Sequence, residues 1–330
     1  MIESRAVVIT KPGGPEVLEV QTRSVRDPGP GEVRVAIEAA GLNRADTLQR
    51  RGAYPAPPGA PADVPGLEFA GRIESLGAPI LGDWKVGDPV MGIVGGGGMG
   101  QHVVLHEREL LRVPEGMSLT DAAAIPEVFL TAYDALFLQA ELAMGEVALV
   151  HAIASGIGTA ALQLNAAAGV TTIGTSRSEA KLARCAELGL EHAVHTADGL
   201  FAAKVQEIAG GAQVVLDTVG AKYLNENLKA LRLQGRMVTI GLVGGIKAEA
   251  NLALILRKRL CWRGSVLRAR PLEEKAALIQ RFSTEILPLF AAGRLRPVID
   301  EVLPMKDASE AHARMDASET FGKLVLSWSQ

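Results

Sequence analysis

The apolar stretch EVALVHA passes through Ser155, Gly156 and Gly158 directly into the small-residue run TAALQLNAAAG, and this strand-to-helix step narrows the folds open to the chain more than any other feature. A buried strand that turns on glycine into a helix of small residues opens a parallel sheet, because the helix must lie back across the strand at close range. The alternation then continues. VTTIGTS precedes SEAKLARCAELG, AVHT precedes FAAKVQEIAG, QVVLDTVG precedes KYLNENLKAL, and GRMVTIG and LCWRGSV follow. Short, mostly apolar strands spaced by amphipathic helices predict a doubly wound α/β domain covered on both faces.

Upstream of about residue 120 the character is different. RAVVIT, VLEVQ, VRVAIEAAGLN and QHVVLH are short apolar runs separated by KPGGPE, RDPGPGE and Gly-Asp pairs, the turn chemistry of an all-β, barrel-like lobe. SLTDAAAIPEVFLTAYDALF opens the helical alternation. From PLEEKAALIQRF to the end the chain holds one or two helices and two short strands, RPVIDEVLP and GKLVLSW, too little for a separate core, so this segment is expected to complete the first lobe. The expected division is 1–124 for the first part of the β-rich domain, 125–267 for the doubly wound domain and 268–330 for the return. A length of 330 residues suits two cores.

Composition closes off several classes of function. With 34 basic against 37 acidic side chains and a net charge of −3, no global field draws phosphate backbones or anionic lipid, which argues against nucleic acid as the main partner. Two cysteines, Cys185 and Cys261, can supply neither a four-thiolate zinc site nor a disulfide framework. No stretch has signal-peptide character or the roughly 20 apolar residues of a membrane span. The expected setting is a reducing cytoplasm.

The glycine turn carries chemistry as well as topology. Free N–H groups at a helix start, with the positive end of the helix dipole, suit a pyrophosphate. Of a full G-x-G-x-x-G fingerprint only the last glycine is kept, at Gly158, since the first two would fall at Ile153 and Ser155, so a tight turn without a ligand remains an alternative. The next strand adds a second signal. It ends TSRSEAK, where an NAD enzyme would place a carboxylate for the ribose hydroxyl. Ser176, Arg177 and Lys181 could contact a 2′-phosphate through charge-assisted hydrogen bonds, which favours NADPH, or form an ordinary solvated helix start. Glu179 falls in the first turn of the helix behind Ser178, where a carboxylate stabilises the dipole.

Together AGLNRADTLQRRGAYPAPPG, PGLEFAGRIESLG, HAIASGIGTAALQL and FGKLVLSW resemble the zinc-independent quinone oxidoreductases of the medium-chain dehydrogenase/reductase superfamily. The likeness spans nearly the whole chain. NRAD, the serine before GIG and FSTEILPLFAAGRLRPVID are most similar to the branch of the tumour-suppressor-inducible quinone oxidoreductase. The resemblance implies a GroES-like catalytic domain built from both ends of the chain, a Rossmann domain in between, a cleft for NADPH and a homodimer through the Rossmann edge strand LCWRGSV.

Zinc enzymes of that superfamily use a cysteine where this chain has Asn43, and a His-Glu pair where it has Leu67-Glu68. A catalytic zinc is therefore not expected, and His102 and His106, four apart without a third ligand, read as ordinary side chains. Without a metal, positioning would carry most of the rate, with a hydroxyl or amide steadying negative charge on a quinone oxygen. The resemblance places Asn43 and Tyr54 at the cleft as the catalytic candidates, against a turn-stabilising amide and a loop aromatic as the plain readings. Asp46 and Glu68 could relay protons, but a structural hydrogen bond or an ion pair with Arg44 is the preferred reading.

Further cofactor contacts carry over by position: Thr131 in FLTAYDAL, Ile157 within the glycine turn, Gly241, Leu242, Val243 and Gly244 in IGLVGG, and Leu267 and Arg268 in SVLRARP. The run from Arg257 to Arg270 has six cations and no acid, a solvated edge or an RNA-binding patch. Two rival functions stay open: reduction of an activated carbon–carbon double bond in an enone or enal, and NADPH binding with little turnover. His195 stands where relatives often have a tyrosine beside the 2′-phosphate, and an imidazole there binds a phosphate more strongly with a proton than without one. NADPH affinity, measured at about pH 6 and about pH 8, should therefore fall more steeply in the wild type than in His195→Phe; identical slopes would remove His195 from the phosphate site.

Overall fold

The computed structural model describes residues 1–329 and divides the chain into two units, Met1–Leu130 with Leu267–Gln330, and Thr131–Val266. The first unit opens with β1 (Ile2–Ile9), β2 (Leu18–Val25) and β3 (Glu32–Leu42), followed by α1 (Arg44–Arg50). Next come β4 (Glu68–Leu76), β5 (Pro89–Ile93), β6 (His102–His106), β7 (Leu110–Arg112), α2 (Leu119–Ala122) and α3 (Pro126–Tyr133), within which the division between units falls.

The second unit contains β8 (Val147–Val150), α4 (Gly156–Ala167), β9 (Thr171–Ser176), α5 (Glu179–Glu187) and β10 (His192–His195). It continues with α6 (Ala202–Ala209), β11 (Ala212–Asp217), α7 (Leu224–Ala230), β12 (Leu231–Thr239), α8 (Leu252–Lys258) and β13 (Cys261–Gly264). The chain returns to the first unit with α9 (Leu272–Glu285), α10 (Leu287–Ala291), β14 (Ile299–Pro304), α11 (Ala308–Ala317) and β15 (Lys323–Ser327).

In the second unit six strands lie in the order β10-β9-β8-β11-β12-β13, all parallel. This is the doubly wound order, with the chain reversing direction of growth at β8 and β11, where open α/β sheets take their ligands. Its core is apolar: Leu149, Ile173, Val215, Leu228 and Met237 are each no more than 1% exposed. A polar network sits beside it. His151 bonds Thr175 Oγ1 at 2.8 Å through Nδ1 and Asn227 Oδ1 at 2.6 Å through Nε2, so β8, β9 and α7 are tied beneath the glycine turn. Burial lowers the imidazole's proton affinity, and the ring packs edge-on against Phe201 and Tyr223 as a neutral group.

The first unit is built on a sheet ordered β14-β15-β3-β4-β5-β7, with β6 also paired to β3. The carboxy-terminal strand β15 lies antiparallel to β3, Leu324 opposite Leu42, and β3 in turn pairs antiparallel with β4. Three strands remote in sequence thus bring Lys323, the β3 end at Leu42 and Glu68 to one rim of the sheet.

Two sequence expectations for this unit need correction. The amino-terminal lobe is not purely β, since RADTLQR forms α1 directly after the β3 strand; Asn43 caps it and Asp46 in its first turn accepts from the Asn43 N–H. The returning segment holds three helices, not one or two, because DASEAHARMDAS forms α11, whose buried Ala311, His312 and Met315 share a face. α1 is anchored to α11 by Arg50, fully buried, which donates to Asp316 Oδ2 at 2.6 Å and to the Gly13 carbonyl at 3.1 Å. Among the described residues no helix is long and apolar enough to cross a membrane.

Candidate functional site

Each unit carries its own polar site. In the first, the rim formed by β15, β3 and β4 collects a buried cluster around Glu68, which is 0% exposed. Glu68 Oε1 accepts from Lys323 Nζ at 2.5 Å and from Asn43 Nδ2 at 2.9 Å, while its Oε2 accepts from the backbone N–H of Glu127 at 2.8 Å. Lys323, itself 3% exposed, also donates to Asn43 Oδ1 at 2.7 Å and to the Leu42 carbonyl at 2.8 Å. The approach is close enough to require glycine at position 41. A Cβ on Gly41 would lie 2.3 Å from Glu68 Oε1 and 2.7 Å from the Ala123 carbonyl.

Asn43, expected as a donor to substrate, has both amide hydrogens engaged, one on Glu68 and one on the Gly41 carbonyl at 3.3 Å. Its carbonyl oxygen is held by Lys323, so the amide orients the cluster and has no hydrogen to spare. Nor does either acid pair with Arg44. Asp46 accepts backbone N–H bonds from Asn43 at 2.8 Å and Gly66 at 3.0 Å, Glu68 is taken by Lys323, and Arg44 turns to Ser318 Oγ at 3.3 Å. Burial pushes the Asp46 carboxyl up to about 6, against the pull of its two N–H bonds and of Lys323.

Tyr54, half-buried, keeps its hydroxyl free of any hydrogen bond among the described residues. Its loop is clamped by Arg268. That guanidinium donates to the carbonyls of Gly95 at 2.8 Å and Tyr54 at 3.0 Å and to Gln49 Oε1 at 2.5 Å, and it stacks over the Tyr54 ring at 4.8 Å. Arg268 was expected over the cofactor. It is 5% exposed, and its donors are committed to the first unit, where a buried guanidinium without a carboxylate partner needs carbonyls on every side. Leu267 is likewise buried. Burial, with the nearby Glu127, raises the Tyr54 phenol above its ordinary value despite Arg268, so it remains a donor.

Two residues of the cluster escaped the sequence reading. Lys323 begins the otherwise apolar run KLVLS, and Glu127 stands alone in IPEVFL; a single charge inside a buried apolar run was the signal available in both cases. Glu127 is half-buried in the first turn of α3, and no group among the described residues hydrogen-bonds its carboxyl. Burial and the neighbouring Glu68 push that carboxyl up to about 8, with Lys323 pulling the other way.

In the second unit Ser155 caps α4, its Oγ accepting from Gly158 N at 3.1 Å. The N–H groups of Gly156 and Ile157 have no acceptor in the chain among the described residues. A Cβ on Gly158 would lie 2.4 Å from the Ile153 carbonyl, so glycine there lets α4 press onto the strand end. These features fit a pyrophosphate at the helix start. The parallel register sets Ser176 beside His195. His195 Nε2 bonds the Arg177 carbonyl at 3.0 Å, and Nδ1 lies 3.6 Å from Glu179 Oε1, so Ser176, exposed Arg177 and His195 share one rim, with Lys181 following in the first turn of α5. The Gly241–Gly244 loop folds over the β11 turn, with Gly244 N bonded to the Val219 carbonyl at 2.7 Å and Leu242 and Val243 exposed. Thr131 is half-buried on α3.

The run of cations from Arg257 to Arg270 does not form one solvated edge. Lys258 Nζ caps three carbonyls at the end of α7, Arg263 reaches the Gln139 carbonyl, and Arg268 is internal.

Comparison with known proteins gives two family matches: the alcohol dehydrogenase GroES-like domain at residues 29–115 and the zinc-binding dehydrogenase family at residues 156–284. A quinone oxidoreductase of Pseudomonas aeruginosa is 34% identical over 321 residues, covering 95% of this chain and 96% of the relative. A 2-haloacrylate reductase of a Burkholderia species is 30% identical, with 97% and 98% covered. Among solved structures, an NAD-dependent alcohol dehydrogenase superposes with a TM-score of 0.84 at 33% identity, covering 98% of this chain and 99% of the other.

One of these families is described by zinc, and the residues here do not fit that ion. An amide and a leucine, Asn43 and Leu67, stand where a thiolate and an imidazole would be needed, and the Lys323 ammonium is already bound to the cluster's oxygens. No group of three or more His, Cys, Asp or Glu able to hold a metal occurs among the described residues. The ammonium is the cluster's internal counter-charge. Lys323→Met should lower the unfolding free energy by about 3–5 kcal/mol at neutral pH, because Glu68 is left as a buried carboxylate without its partner. Urea denaturation of the two proteins would show it.

Proposed function

We propose that this chain, which belongs to the medium-chain dehydrogenase/reductase superfamily, is a reductase that uses NADPH to deliver hydride to a quinone. The observation that carries the coenzyme reading is the arrangement around α4 and β9: open N–H groups at Gly156 and Ile157, a glycine-tight turn, and a strand end presenting Ser176 and Arg177 beside His195 and Lys181. Helix N–H groups favour the pyrophosphate, and the cationic rim favours a 2′-phosphate over a bare ribose hydroxyl. A bound nicotinamide would supply the hydride and its electron pair.

The chain's own residues supply position and polarity. Tyr54 offers the hydroxyl that steadies charge on the acceptor's oxygen, and Arg268 fixes the loop that carries it. Asn43 and Lys323 hold the carboxylates behind it in one arrangement. The quinone oxidoreductase relative supports a quinone as acceptor. The 2-haloacrylate reductase supports a second reading, hydride transfer to an activated carbon–carbon double bond, since the same hydride geometry serves conjugate addition.

Calorimetry should show NADPH binding more tightly than NADH, with Arg177→Ala and Lys181→Ala each removing about tenfold to a hundredfold of that preference, the worth of one charge-assisted hydrogen bond. No preference would overturn the NADPH assignment. NADPH oxidation with 1,2-naphthoquinone, 1,4-benzoquinone and an enone then separates the readings: fast enone turnover with inert quinones favours the double-bond reductase, and tight binding without turnover favours a coenzyme-binding protein.

The assembly we propose is a homodimer through β13. This strand is the sheet edge, all four of its residues are exposed, and Trp262, Leu256 and Val266 add apolar surface around it. An open edge of that kind pairs with its own copy about a twofold. The Ser265 N–H is bonded to Thr239, so by alternation along a parallel strand the Gly264 N–H points away from β12. Gly264→Pro removes that outward donor where a side chain meets open space, and sedimentation velocity should register a shift from dimer toward monomer. A monomeric wild type would remove the assembly.

A further inference from the structure

Three carboxyl groups, Asp46, Glu68 and Glu127, face a single ammonium, Lys323, on the rim of the first unit's sheet. Three carboxylates outnumber the two cations that act on Glu127, Lys323 and Arg268, so the cluster retains a proton. Geometry decides where. Glu68 accepts from Lys323, the Asn43 amide and the Glu127 N–H, and Asp46 accepts two backbone N–H bonds, all of which favour the ionised form. The Glu127 carboxyl accepts none among the described residues. As a residue it is half-buried, whereas the other two are 0% exposed.

We propose that Glu127 is the general acid of the reduction, protonated in the resting protein and delivering its proton to the acceptor as hydride arrives. The proposal rests on the reductase reading and adds a proton donor to it. Hydride and its electron pair form the new bond on the acceptor and leave negative charge on its oxygen, which Tyr54 holds. The Glu127 O–H bond then breaks, the proton joins that oxygen, and the bonding pair stays on the carboxylate until water reprotonates it. For an enone the proton ends on the α carbon. Asp46 on α1, Glu68 on β4, Lys323 on β15, and Arg268 and Tyr54 on their loops are the charged or titratable groups around Glu127, and of these only Lys323 and Arg268 oppose retention of the proton.

Glu127→Gln keeps the shape of the neutral acid and removes its proton, which gives two independent readouts. The first needs no acceptor. Because the folded protein holds the Glu127 proton up to about pH 8, against an ordinary value of 4.5, the wild type loses stability as pH rises through that range. The melting temperature of Glu127→Gln should therefore gain on the wild type between about pH 6 and about pH 9. A constant difference would show the carboxyl already ionised and would overturn the proposal.

The second readout is turnover. With 1,2-naphthoquinone the wild-type kcat should fall above about pH 8, and Glu127→Gln should be slower by about a hundredfold at neutral pH with that fall abolished and NADPH affinity unchanged. An unchanged kcat and pH profile in the variant would overturn the role. If the wild type reduces an enone and no quinone, the quinone assignment fails, and the same loss measured with the enone supports Glu127. Absence of turnover with every acceptor overturns both.

Discussion

The ammonium of Lys323 lies 2.5 Å from Glu68 Oε1 with both side chains almost wholly out of water, and the arrangement of the first unit follows from that contact. Stripping water from two such ions costs several kcal/mol each, and attraction between them offsets the cost only when every remaining lone pair and hydrogen is used. Here they are: Asn43 bridges the two ions, the Leu42 carbonyl takes a third ammonium hydrogen, and the Glu127 N–H takes the far carboxylate oxygen. These demands reach back into sequence. Gly41 is needed so that β3 can pass beneath the carboxylate, and Asn43 must end the strand and begin α1 in the same residue.

The second unit solves a different problem with different means. Its candidate ligand site contains no buried ion pair; it relies on backbone N–H groups at one helix start and on side chains at the ends of β9 and β10 that remain in contact with water. Partial charges fixed in a helix cost no desolvation when the ligand is absent, whereas exposed cations discriminate between ligands of different charge. The buried polar network of His151, Thr175 and Asn227 serves this arrangement by holding the strands under the turn, with the imidazole neutral.

The doubly wound sheet was legible in the sequence because short, mostly apolar runs alternate with helical segments throughout residues 147–264, so local pattern and tertiary position agree. The rim with Ser176, Arg177 and His195 was legible too, since all three sit at the ends of neighbouring strands whose order the fold fixes. The first unit's cluster was legible only in part. Asn43, Asp46 and Glu68 stood out as polar residues in apolar surroundings, but their partner Lys323 is 255 residues from Glu68, and pairing at that distance leaves no trace in local periodicity. The clamp made by Arg268 was illegible for the same reason, because the carbonyls it binds belong to residues 49–95, far from it along the chain. α1 was missed because a polar seven-residue helix inside a β-rich stretch carries almost no apolar signature.

The order of the chain has a bearing on how the molecule is made. Residues 131–266 form one unbroken segment whose six strands pair only with one another, while the earlier β3 pairs with β15, whose Lys323 lies 281 residues beyond Leu42. Until β15 arrives, the Glu68 carboxylate has no counter-ion and can stay hydrated. Completion of the sheet that holds β3 and β4 therefore waits on β15, whereas the strands of the second unit find all their sheet partners within residues 131–266.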